Sequence, residues 1–178
     1  MLLDTDSYRM VFDDPEKQWA TVKLILDASN NRVKDAESLW KESLCLLYTG
    51  WTREASMRDF DRLGHPTYAA REFHGCMFCS SGAVAAIVCE LLANKADLPN
   101  SVYSQYTGWR DTVLNALRTE LKERGIHGNQ YTSIPDFNDK HKFGEVVQLW
   151  RDAGERQGWK FTVNDLPPDL RPLYPNAR

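Results

Sequence analysis

Apolar residues recur along most of this chain at intervals of three and four, the spacing that places side chains on one face of an α-helix. The clearest run joins Val33, Ala36, Trp40, Leu44 and Leu47 into one continuous stripe and predicts the strongest helix of the N-terminal third. Ahead of it, Asp13-Asp14-Pro15-Glu16 reads as a helix start. Asp is the N-cap, Pro takes the first helical position, where its missing N–H costs nothing, and Glu lies near the positive end of the helix dipole. Trp19, Val22 and Leu26 continue that helix until "ASNN" stops it. A modest helix is expected over 52–63, with Met57, Phe60 and Leu63 on a narrow stripe and Gly64-His65-Pro66 as its stop.

The pattern changes at "SSGAVAAIVCELLANK", which is apolar around nearly its whole circumference and predicts a central bundle helix over about 80–95. Ala83, Ala85 and Ala86 would let neighbours approach closely, and Asn94 and Pro99 mark its exit. Trp109, Val113, Leu117 and Leu121 form the next stripe, with Glu120 and Arg124 as a surface pair and Gly125 as the stop. Gly, Asn, Pro and Asp crowd the stretch 125–142, which reads as a loop. Phe143, Val146, Val147 and Trp150 restore the helical period. Trp159, Phe161 and Val163 then alternate as a short strand would, although one strand makes no sheet. The final "DLPPDLRPLYP" is Pro-rich and cannot be helical. The expected fold is all-α: one domain over 1–178, about six helices, and an extended C-terminal arm over 164–178.

"YTGW" occurs twice, at Tyr48 to Trp51 and at Tyr106 to Trp109. A duplicated module would keep its downstream apolar offsets, but of Met57, Phe60 and Leu63 against Val113, Leu114, Leu117 and Leu121 only Leu63 and Leu121 coincide. The motif reads instead as helix punctuation, each Gly in a left-handed turn and each Trp covering a corner.

Composition narrows the function classes. A chain of 178 residues, 42% of them hydrophobic, supports one sizeable core. The formal charge of −3, with both signs interspersed, provides no basic stripe for a phosphate backbone, so nucleic acid is disfavoured as a partner. The most apolar stretch, 83–93, is interrupted by Glu90 and is too short to cross a bilayer; no membrane association is expected. Four cysteines, two of them in CxxC spacing, fit a reducing compartment, the cytoplasm of the source cell or of a host.

Three constellations could carry chemistry. "HGCMFC" offers His74, Cys76 and Cys79, three ligands of the tetrahedron that Zn²⁺ requires, with His65, Cys45 or Cys89 as a fourth from elsewhere. The same pair could be a redox dithiol at a helix N-terminus, where thiolate is favoured. Thioredoxin-like sites place CxxC after a buried strand, however, and the all-α peroxidase arrangement adds a His where this chain has Ala83. Small apolar thiols packed at a helix junction are the preferred account, and Cys89 is expected to be packed too. Second, Arg58 and His65 in "RDFDRLGH" are separated by six residues, a spacing that resembles the R-x(4–6)-H signature of HEPN-type ribonucleases. The resemblance covers those two residues and implies an all-α fold with Arg and His acting on a scissile phosphate. A solvated helix-terminal His is the preferred alternative. Third, His127, Asp136, Asp139 and His141 could surround a metal or perform acid–base work from the long loop, although turns require the same residue types.

No motif compels a reaction. The expectation is a non-enzymatic helical interaction, regulatory or assembly protein that binds a protein partner or itself. Leu170, Leu173 and Tyr174 of the Pro-rich arm are its candidate contacts, because a preformed extended segment costs little entropy to dock. The alternatives are a zinc or thiol protein and, behind it, the ribonuclease.

Overall fold

The computed structural model describes residues 3–53, 77–93, 99–129 and 132–175. Among them six α-helices pack as the expected all-α bundle: α1 (Pro15–Arg32), α2 (Ala36–Thr49), α3 (Ser80–Ala93), α4 (Asn100–Glu123), α5 (Ser133–Lys140) and α6 (Phe143–Arg156). None is long and apolar enough to cross a membrane. The helix expected over 52–63 lies outside the described residues from position 54 onward.

A small antiparallel sheet, which the sequence pattern does not announce, joins β1 (Leu3–Asp4), β2 (Tyr8–Met10) and β3 (Gly50–Thr52) in that order. Leu3 pairs with Met10 and Tyr8 with Thr52. These strands are too short for alternation to show, and the turn chemistry comes from one side chain: Thr5 Oγ1 accepts the N–H groups of Ser7 and Tyr8. The strand expected around Trp159 is instead irregular chain leading into a 3₁₀ turn, Val163–Asp165.

Helix α1 starts where the sequence places it, with the Asp14 carboxylate accepting from Glu16 N at 3.0 Å. It does not end at "ASNN". Ser29 Oγ returns to Ile25 O and Asn30 Nδ2 donates to Asp27 O, so these side chains bond back to the helix, which runs to Arg32. Nor does Trp19 face the core: it is 44% exposed, and the buried face consists of Gln18, Thr21, Val22, Ile25 and Ser29. Gln18 explains the rotation. Its Nε2 donates to Thr49 O at 2.7 Å while its Oε1 accepts from Phe12 N, so one amide ties the hairpin, α1 and the end of α2 together.

Helix α2 begins with a reciprocal cap in which Asp35 accepts from Ser38 N and Ser38 Oγ accepts from Asp35 N. The backbone and hydroxyl bonds from Ser38 hold the Asp35 carboxyl below its usual pKa. From Glu42 to Thr52 every residue of α2 and β3 is buried. Helix α3 lies within the bundle as expected, packed on α1, α2 and α4, but its Ala85 and Cys89 side is exposed. Cys89 is therefore not a packed thiol; Cys45, on α2, is.

The two "YTGW" copies share no structure. Gly50 caps α2 with extended backbone at φ −160°, whereas Gly108 lies inside α4. Neither is in a left-handed turn; Gly125 and Gly158 are the described glycines with positive φ. Glu120 and Arg124 do not form a surface pair. Glu120 is buried and accepts from both Arg124 Nε (3.1 Å) and Arg156 Nε (3.0 Å), which ties α4 to α6. The expected loop over 125–142 contains α5, whose Pro135 falls in the first turn, where it costs no intrahelical bond.

Asn138 of α5 is the polar centre of the core. Its Oδ1 accepts from Trp51 Nε1, Ser80 N and Ser80 Oγ at 3.0–3.1 Å, and its Nδ2 donates to Thr52 O. Ser80 Oγ in turn accepts from Trp150 Nε1, and Trp40 Nε1 donates to Trp150 O. Gly154 lets α6 approach α2 closely, since a Cβ there would fall on the Trp40 ring.

Candidate interaction groove

The C-terminal arm is not extended throughout. It closes the bundle through two 3₁₀ turns, Val163–Asp165 and Arg171–Leu173, and Leu170 and Tyr174 are buried in the core. Tyr174 Oη donates to Tyr48 O at 2.9 Å, a bond across the end of α2. Substituting Leu170, Leu173 and Tyr174 together would therefore remove core packing as well as any contact surface. Leu173 is 38% exposed and is the one of the three that faces outward.

Beside Leu173 opens a groove of about 590 Å³ between the hairpin, the start of α6 and the arm. Its floor is aromatic. Tyr48 meets Phe143 edge-on (centroids 5.8 Å apart) and Tyr174 at 4.7 Å, and on its other side stacks on Phe161 at 5.6 Å. Burial raises the Tyr48 hydroxyl pKa, with Arg151 opposing the shift. Arg9 lies over two of these rings, its guanidinium carbon 4.7 Å from the Phe143 centroid and 5.0 Å from that of Tyr174, within cation–π range. At the rim Lys142 and Asp6 form an exposed pair at 3.6 Å. Val147 and Leu173 add aliphatic surface. An apolar floor, one cation lodged over aromatic rings and an exposed ion pair at the edge suit contact with a side chain that is apolar at one end and polar at the other.

The described loop candidates do not come together, and four others lie outside the described residues. Arg58, His65, His74 and Cys76 lie outside the described residues. Cys79 precedes α3, and its Sγ accepts from Gly82 N at 3.3 Å. His127 and Asp136 are exposed. His141 stacks on Phe137 at 3.8 Å with its Nδ1 2.8 Å from Phe137 O, and its own carbonyl accepts from Arg53 Nε and Nη2. The loop residues His127, Asp136, Asp139 and His141 thus do not converge, and among the described residues no three His, Cys, Asp or Glu side chains are grouped to hold a metal.

Arg9, Tyr48, Lys142 and Phe143 line the groove and stand outside the candidates that the sequence offers. Tyr48 and Phe143 carried a signal, as aromatics at the end of one helix and the start of another; Arg9 and Lys142 carried none. The sequence matches no protein-family model, and no curated protein or solved structure matches it.

Proposed function

We infer that this protein is a non-enzymatic helical interaction protein that acts by protein–protein contact, with the groove beside Leu173 as its contact surface. The observation that carries this reading is a groove floored by the buried rings of Tyr48, Phe143 and Tyr174 beside an exposed leucine. Aromatic residues and arginine dominate interface energetics, and here both are held rigidly by the fold. Leu173→Glu tests the reading, because it charges the groove while leaving Leu170 and Tyr174 in the core. Wild-type protein is expected to gain mass with concentration in light scattering, or to retain a partner that L173E loses at equal thermal stability. A concentration-independent mass together with identical partners for both proteins would sink the proposal.

Zinc or thiol chemistry at His74, Cys76 and Cys79 is the second reading. It is favoured by one observation: Cys79 Sγ accepts a backbone N–H at the N-terminus of α3, a setting that stabilises thiolate. Elemental analysis of protein purified without chelator, beside a Cys76→Ser/Cys79→Ser variant, decides it. Stoichiometric zinc lost in the variant would support the site, and no zinc with slow-reacting thiols would exclude it.

A further inference from the structure

The corner where α1, α2 and the arm meet contains a carboxylate that the fold leaves half satisfied. Glu42, on α2, has a side chain only 9% exposed, and its nearest cation, Arg32 at the end of α1, stands 3.8 Å away and is itself mostly in solvent. Its Oε1 faces that cation; its Oε2 is buried with no hydrogen-bond partner. Most buried polar side chains among the described residues are bonded, and Glu42 Oε2, like Asn30 Oδ1, is one that is not, which for a carboxylate needs a reason.

The arm docks on the same face of α2. Cys45, one turn after Glu42, donates its thiol to Asp165 O at 3.1 Å, and Lys41 Nζ lies 3.7 Å from Asp165 Oδ1. The Asp165 carboxylate also caps its own turn by accepting from Thr162 N at 2.7 Å, so it is held in place. The charged groups acting on Glu42 are Arg32 from α1, Lys41 from α2 and Asp165 from the arm; Cys45 is the titratable neighbour, and burial keeps its thiol protonated. Arg32 and Lys41 attract an ionised Glu42, while Asp165 and the loss of water oppose it.

We propose that Glu42 is a proton-operated latch for the C-terminal arm: neutral, it lets the 163–165 turn seat on α2, and ionised, it loosens that turn and the chain that follows. Burial, reinforced by Asp165, raises its pKa to about 7, so the change falls near neutral pH. Loosening would free the segment that carries Leu170, Leu173 and Tyr174. The latch stands independently of whether the groove binds a partner.

The experiment is amide exchange followed by NMR at pH 6 and pH 8, expressed as protection factors so that intrinsic exchange rates cancel. Asp165 N and Leu166 N, which bond to Thr162 O and Val163 O, report the arm; Leu117 and Leu121 in α4 report the core. Wild-type arm protection is expected to fall about tenfold between the two pH values with the core unchanged, and Glu42→Gln to remain flat. Carboxyl-carbon titration of Glu42 in the wild-type chain keeps the test decisive if E42Q does not fold. A midpoint near 7 that coincides with the loss of arm protection supports the latch. A midpoint in the ordinary carboxylate range, pH-independent arm protection, or an equal fall in E42Q overturns it.

Discussion

Two glutamates are taken out of water in this bundle to nearly the same extent, and the fold treats them in opposite ways. Glu120, between α4 and α6, has a guanidinium against each oxygen at 3.0–3.1 Å, and one of those arginines, Arg124, continues to Asp152. Glu42, between α1, α2 and the arm, has one exposed arginine at 3.8 Å and one oxygen with no partner. The α4–α5–α6 side of the molecule, with Glu120 and the Asn138 network, is a closed polar system; the arm corner is not. Burial alone therefore says little about a charged side chain. Whether its partners are complete decides if it stiffens the fold or leaves it sensitive to solution conditions.

The comparison can be broken on its closed side first. Asn138→Ala removes the acceptor for Trp51 and Ser80 and the donor to Thr52 at once, and should cost about 4 kcal/mol in urea unfolding. A loss under 1 kcal/mol would mean that water repairs the network. Glu120→Ala leaves Arg124 and Arg156 facing each other without their carboxylate and should cost about 3 kcal/mol.

On the open side the sign depends on pH. Glu42 holds its proton in the native state up to about pH 7, whereas the unfolded chain releases it near 4.5, so the stability it contributes is present in acid and is lost as pH rises through that window. Between pH 5 and pH 8 the stability of the wild type relative to E42Q should therefore fall by about 2.5 kcal/mol. A constant difference across that range would erase the distinction between the two glutamates. The smallest effect is expected at the groove rim. Lys142→Ala breaks a pair exposed on both sides and should change stability by less than about 0.5 kcal/mol, as a salt-sensitive term.

The same contrast explains what could be read from the sequence. Helices α4 and α6 were legible because their stripes are long and their neighbours polar, and α2 because its stripe is long and continuous. Glu42 had a weak signal: α2 carries so few polar residues between Leu39 and Thr49 that, once it is enclosed, one of them must be buried. Gln18 and Asn138 had none, since an amide that joins distant elements looks in sequence like any surface amide, and this is why Trp19 was assigned to the core and α5 to a loop. The hairpin was hidden by its length. Within the groove, Leu173 and Tyr174 were visible as apolar residues of a Pro-rich arm, but Leu170 and Tyr174 were read as contacts when packing makes them core. Arg9 and Lys142 enter by tertiary position alone.

Three of the six tryptophans, Trp40, Trp51 and Trp150, are fully enclosed with each indole N–H bonded to a fixed acceptor, while Trp19 stands in solvent. The chain thus carries its own optical reporters. Iodide should quench Trp19 emission and leave the enclosed indoles bright, and their N–H protons should exchange with deuterium only when the whole bundle opens. Local loosening at the arm and global unfolding would be distinguishable in one unlabelled sample.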